Sequence, residues 1–131
     1  MNAYTIAYEV PSSQDYCNLR EATGLSSKAV AAAAAGLPNS LFCEPVCVGM
    51  ARVIGDGALF FTVVDVAVHP THQGHGLGIR LMKEIDAWLV AHVPKSGQVG
   101  LAADAKAQSL YAKFGFWETA PYGAVAMARA F

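Results

Sequence analysis

An apolar run, Val63-Val64-Asp65-Val66-Ala67-Val68, passes through His69-Pro70 and a short polar loop into Gln73-Gly74-His75-Gly76-Leu77-Gly78, where an amphipathic helix begins. A strand that stops at a proline, followed by a glycine-rich turn at the mouth of a helix, makes a cradle for an anion. Glycine lets the backbone come close to a phosphate, and the first-turn N–H groups of a helix have no partner within it. Those donors, together with the helix dipole, hold a pyrophosphate.

The other segments read as elements around that unit. Residues 4–10 alternate as a first strand does. Pro11-Ser12-Ser13 starts a helix with a serine cap and Asp15 in its first turn, with Tyr16 and Leu19 on one face and a stop near Gly24. A second helix, capped around Ser26 or Ser27, runs through the close-packed alanine tract 31–35 and ends at Gly36, with Pro38 beyond. Residues 41–43 and 46–54 form a hairpin around Glu44-Pro45, and Gly55-Asp56-Gly57 turns the chain into a long strand, 58–68. Leu77, Leu81, Ile85, Trp88, Leu89 and His92 follow at helical spacing, up to Pro94 and Gly97. Then come a strand over 98–103, a helix over 104–114 closed by Gly115, and strands from Phe116 on, broken at Pro121, with 125–129 last. The sum is an α/β (α+β) chain with a mixed sheet and helices on both faces. No internal repeat or linker interrupts it, so residues 1–131 are expected to form a single domain.

Composition narrows the function. Hydrophobic residues make up 54% and charged residues only 15%, too few to cover the surface, so an apolar patch is expected to be buried in a homodimer. A net charge of -1 without any basic cluster argues against nucleic acid as a partner. No apolar run reaches the length of a membrane span, and Met1-Asn2-Ala3-Tyr4 lacks the pattern of a secretory signal. Three cysteines, Cys17, Cys43 and Cys47, suggest reduced thiols and a cytoplasmic protein. Cys43 and Cys47 lack the second pair a zinc site needs. His69, His72 and His75 are spaced three apart, but a segment through His-Pro and Gly-His-Gly does not bring three rings to one point, so no metal is expected.

The cradle is not a P-loop, because no Gly-Lys-Ser/Thr follows. It also lacks the Gly-x-Gly-x-x-Gly turn and the later acidic residue of a dinucleotide site. Gln73-x-x-Gly76-x-Gly78 after Val66-x-Val68 resembles instead the acetyl-CoA loop of the GNAT superfamily of N-acetyltransferases. Ala107-x-x-Leu110-Tyr111-x-x-x-Gly115-Phe116 is similar to the other signature of that family, in the right order and at the expected distance. The resemblance spans essentially the whole chain. It implies a mostly antiparallel sheet of six to seven strands, splayed where the cofactor arm enters, with acetyl-CoA as cosubstrate and a small-molecule amine as acceptor.

On that resemblance, Val66, Ala67 and Val68 lie along the pantetheine arm, with the Val66 N–H polarising the thioester carbonyl. Gln73, Gly74, His75, Gly76, Leu77 and Gly78 hold the pyrophosphate. Tyr111 is the general acid that protonates the leaving thiolate, although periodicity alone would leave it a core residue like Phe114. Asp104 stands where relatives carry asparagine; it can cap the next helix but, ionised, cannot donate to pantetheine. Asp65, a carboxylate in an apolar strand, needs a partner. Strict alternation sets it opposite Val64 and Val66, and a bulge would turn it into the cleft. It is either an amine anchor or water-mediated base, or one half of a structural salt bridge, with Arg52 pairing with it or with Asp56. Thr62, at the other family position for a base, cannot serve.

Tyr16, Phe42, Phe60, Phe61, Trp117 and Tyr122 are candidate walls for the acceptor, with Asp65 and Asp56 as carboxylates. Among them Phe42, Phe61, Trp117 and Asp65 are the expected substrate contacts. Of Phe60 and Phe61 one must face the core. Aromatic walls with a carboxylate suit an arylalkylamine or a diamine. The alternative is a catalytically weak acyl-CoA-binding sensor. His75 replaces the arginine or lysine of many relatives, and an imidazole loses its charge near neutral pH. Acetyl-CoA affinity is therefore expected to weaken as pH rises from about 6 to about 8.5; a flat profile in a binding titration would remove His75 from the phosphate site.

Overall fold

The computed structural model describes residues 7–43 and 48–131, with the backbone alone for Phe42 and Cys43. It divides into a larger unit ending at Leu101 and a smaller one, Ala102–Phe131. In the larger unit the elements are α1 (Ser13–Ala22), α2 (Val30–Gly36), β1 (Phe42–Cys43), β2 (Gly49–Gly55), β3 (Phe60–Val68), α3 (Leu77–His92) and β4 (Gln98–Gly100). In the smaller unit the one α-helix among the described residues is α4 (Gln108–Ala112).

Local chemistry sets most of these boundaries. The Ser12 hydroxyl accepts from the Asp15 N–H at 3.1 Å and starts α1. Ser26 does not start a second helix, because Arg20 takes it: Nε donates to the Ser26 carbonyl at 2.7 Å and Nη2 to its hydroxyl at 3.0 Å. The helix therefore begins later, at Val30, with no side-chain cap. Its alanines are not close-packed either; only Ala33 is buried. The Asp56 carboxylate accepts from the N–H groups of Ala58, Leu59 and Phe60, which makes the turn into β3 and lowers the pKa of the acid.

Four strands lie in the order β1-β2-β3-β4. The first three are antiparallel, whereas β4 joins β3 in parallel after the α3 crossover, so the sheet is mixed. The expected six to seven strands are not all present among the described residues. Residues 1–6 and the turn at 44–47 lie outside them, and residues 7–10 are not strand. From Phe116 onward there is no strand, only an Ala120–Tyr122 turn, and nearly every side chain is exposed.

β3 serves two cores. Phe61 is 2% exposed and meets Trp88 of α3 edge-on, at 6.2 Å between ring centroids. Met50 and Ala67 pack instead with Tyr16, Cys17, Ala33 and Leu37 of the α1–α2 layer. Phe61 and Ala67 would share one face of an unbroken strand. The register slips between Met50 and Arg52, leaving Asp65 and Val66 together opposite Ala51, so the strand turns over in mid-course. Phe61 is thus core rather than acceptor wall, and the exposed member of the pair is Phe60.

Ile85 is fully buried in the α3 layer, whereas Val90 on the same helix is 79% exposed. Ile85→Ala is expected to destabilise the fold by about 2–5 kcal/mol, against less than about 0.5 kcal/mol for Val90→Ala. Urea unfolding of both checks the face assignment.

Candidate active site

Asp65 sits in the bulge with φ 57°, a left-handed conformation for a residue with a side chain. Such a residue costs on the order of 1–2 kcal/mol, and aspartate tolerates it better than most. Its carboxylate is 4% exposed and bound on both oxygens. Arg20 Nη1 pairs with Oδ1. Arg52 Nε donates to Oδ2 at 2.5 Å, and the Tyr16 hydroxyl donates to the same oxygen at 2.8 Å. Arg52 also reaches the Ser40 hydroxyl, at 2.8 Å. The Tyr16 ring lies 5.8 Å from the Arg20 guanidinium carbon and 5.5 Å from that of Arg52, within cation–π range of both. Burial, and then the bond to Asp65, push the Tyr16 phenol up. Burial works against the Arg52 charge, but Asp65 and Tyr16 outweigh it and raise its pKa.

Arg52 therefore pairs with Asp65 and not with Asp56. The structural ion pair is realised, with Arg20 as a second partner that sequence reading missed. The signal for it was present: an arginine four residues after Tyr16 lies on the buried face of α1 and needs an acid, and β3 contains one carboxylate.

β4 pairs with β3 only from Phe60 to Thr62, yet β3 continues to Val68. Among the described residues, no strand pairs with its far edge over the second half. Asp56 and Phe60 are a hydrogen-bonded pair at one end of the β2–β3 ladder, and Val48 and His69 are joined by a 2.6 Å bond at the other. Alternation from those two points directs the peptide groups of Val64 and Ala67 toward β2. The N–H and C=O of Val66 and Val68 therefore face the open edge. The Gln73 amide donates to the Val68 carbonyl at 3.1 Å, tying the loop back to the strand end.

Beyond it, Gly74 (φ 83°) and Gly76 (φ 78°) are both left-handed, with nothing within 4 Å of where a Cβ would stand. Gly76 is the N-cap of α3 and supplies no side chain to it, so the first-turn N–H groups of Leu77, Gly78 and Ile79 have no side-chain cap. Gln73, Gly74, His75 and Gly76 are all exposed. His69 Nδ1 accepts from the Thr71 N–H at 3.2 Å, and among the described residues no three His, Cys, Asp or Glu side chains group as metal ligands.

In the smaller unit, the Asp104 carboxylate accepts from the N–H groups of Lys106 and Ala107, at 3.1 and 3.0 Å, in the turn that leads into α4. Tyr111 is buried on α4, and its ring stands edge-on to Phe116 at 6.4 Å. Burial first, and the Asp104 charge second, push its phenol up. Trp117 is 75% exposed. The side chain of Phe42 lies outside the described residues.

A concavity of about 860 Å³ lies beside α1, lined by Glu9, Ser12, Asp15, Asn18, Met50 and His69 among others.

Tyr16→Phe removes one donor from the buried carboxylate and is expected to lower stability by roughly 1.5–3 kcal/mol. An unchanged urea midpoint would mean that the phenol contributes nothing to the cluster.

The family model that matches the chain is described as an acetyltransferase (GNAT) domain and covers residues 39–118. A probable acetyltransferase of unknown function from meticillin-resistant Staphylococcus aureus has a crystal structure with a TM-score of 0.91 and 38% identity, covering 97% of this chain and 99% of that one. A GNAT family acetyltransferase from Streptococcus pneumoniae superposes with a TM-score of 0.79 at 28% identity, over 98% of both chains. An uncharacterized N-acetyltransferase of Prochlorococcus marinus is 37% identical over 81 residues, 60% of this chain and 42% of that protein. The chain thus spans less than half the length of the curated relatives it matches. Domain match, near-complete superposition and sequence identity agree: this chain belongs to the GNAT acetyltransferases.

Proposed function

We propose that this protein moves an acetyl group from acetyl-CoA to the primary amine of a small molecule, by direct attack in a ternary complex. One observation carries the reading: an open strand edge with the peptide groups of Val66 and Val68 facing it leads into two left-handed, exposed glycines at an uncapped helix start. The fit to acetyl-CoA is chemical. An extended amide-bearing arm can add to a free strand edge, and a pyrophosphate suits the unpaired N–H groups of Leu77, Gly78 and Ile79. Gly74, His75 and Gly76 line the same turn, with Ala67 on the strand behind it.

Acetyl-CoA, when bound, supplies the activated thioester. The Val66 N–H donates to the carbonyl oxygen as negative charge gathers there, a contribution of about 3–4 kcal/mol for a well-aimed donor. Tyr111 gives its phenolic proton to the departing sulfur. Burial and Asp104 keep that phenol in its neutral, protonated form, with a proton to give. Asp65, with both oxygens already bound, is not the amine's anchor or base in this scheme. The amine loses its proton to water before attack.

The same charge matching bears on the acceptor. A diamine needs a free carboxylate for its second ammonium, and Asp65 faces two guanidiniums. Phe60, Trp117 and Tyr122 remain as exposed aromatics. An arylalkylamine is therefore favoured over a diamine. Val125, Met127 and Phe131 add to the exposed apolar surface of the smaller unit, which supports a homodimer. The family match crosses the boundary between the two units, which supports reading the chain as one GNAT domain. No described helix is long and apolar enough to cross a membrane, and Cys17 is a free buried thiol, in keeping with a cytoplasmic place of action.

Tyr111→Phe is expected to lower kcat by about 100-fold while leaving acetyl-CoA affinity within about twofold. Because the phenol's pKa is raised, wild-type activity should not fall through loss of this proton below about pH 10. Release of free CoA thiol across a panel of arylalkylamines, diamines and amino acids tests both points. Tight acetyl-CoA binding without turnover on any amine would identify the sensor instead.

A further inference from the structure

We propose that Asp65, Arg20 and Arg52 are positioning residues for acyl transfer: they hold position 65 left-handed and so keep the Val66 N–H at the open edge of β3. The inference rests on the acyl-slot reading above and names what sets that slot in this chain.

The bulge stands at a residue that is not glycine, so the conformation has to be imposed from outside. Three donors impose it. Tyr16 and Arg20 come from α1 and Arg52 from β2, and they converge on both oxygens of a side chain that is 4% exposed. The two guanidiniums are fixed in their turn. Arg20 is bound to the carbonyl and hydroxyl of Ser26, ahead of α2, and Arg52 to the hydroxyl of Ser40, just beyond it. The residue after the clamp is Val66, the first to present its peptide groups to the free edge beyond the slip in register. The direction of that N–H is therefore held by the α1–α2 layer on the far face of the sheet. A base or an amine anchor would need an oxygen turned toward substrate; here both are turned into the α1 layer.

The test compares Asp65→Asn, Asp65→Ala and Arg52→Lys for kcat, for acetyl-CoA affinity and for the ¹⁵N–¹H signal of Val66 in the ligand-free protein. Asparagine tolerates the left-handed region and still accepts from arginine. Its kcat should stay within about tenfold of wild type, with an unchanged pH profile of kcat/KM. Alanine does neither, and kcat should fall by about 100-fold or more while acetyl-CoA affinity holds within about threefold. Arg52→Lys keeps the charge and loses the fork. It should shift the Val66 signal and lower kcat about tenfold, and it decides the matter should the alanine variant fail to fold.

Equal loss in asparagine and alanine variants, with the acidic limb of the pH profile abolished, would make Asp65 a base and overturn the proposal. So would an unmoved Val66 signal in Arg52→Lys. Failure of the acyl-transfer reading would look different: wild type would neither bind acetyl-CoA nor turn over, whereas the Val66 signal reports on the clamp without any substrate.

Discussion

A carboxylate buried in the middle of a strand must be matched by charge, and in this protein the match organises the surrounding sheet. Arg20 and Arg52 meet Asp65 from a helix and from the neighbouring strand, and Tyr16 fills the space between their guanidiniums. Desolvation offsets much of the attraction in a buried pair. What the cluster supplies is definition. It fixes one backbone conformation at one residue, and that residue is where β3 turns over.

The turnover explains how a nine-residue strand serves two layers and a slot at once. Before the bulge, Phe61 and Val63 are buried, with Phe61 against α3; after it, Ala67 faces the α1–α2 layer. Over the same stretch β4 ceases to pair, so the free edge and the bulge coincide. A parallel strand that continued its ladder to Val68 would close the edge, and an unbroken alternation would turn Asp65 toward α3. Both departures from regular sheet fall in the second half of β3.

Much of this was legible in the sequence, and the reasons differ by element. Ser12 with Asp15, Gly55-Asp56-Gly57, and the Leu77–His92 periodicity are local signals, and each produced the element it announces. The glycine turn was legible as a turn, since Gly74 and Gly76 both adopt the left-handed backbone that glycine permits, and α3 starts directly after it. Tertiary competition defeated the rest. Ser26 looked like a cap until Arg20 claimed it. Phe60 and Phe61 were indistinguishable until the ladder fixed which one faced α3. Alternation after Phe116 announced strands that the described residues do not form. The left-handed Asp65 was open as a bulge, and its second arginine, 45 residues away in sequence, was signalled only by its place on the buried face of α1.

Amide chemical-shift mapping of the ¹⁵N-labelled protein during an acetyl-CoA titration reads directly where acetyl-CoA meets the backbone. Saturable shifts at Val66, Val68 and the Gly76 to Ile79 amides are the predicted result. Shifts confined to the concavity along α1, near Asp15 and Asn18, with Val66 and the glycine loop unmoved, would contradict it.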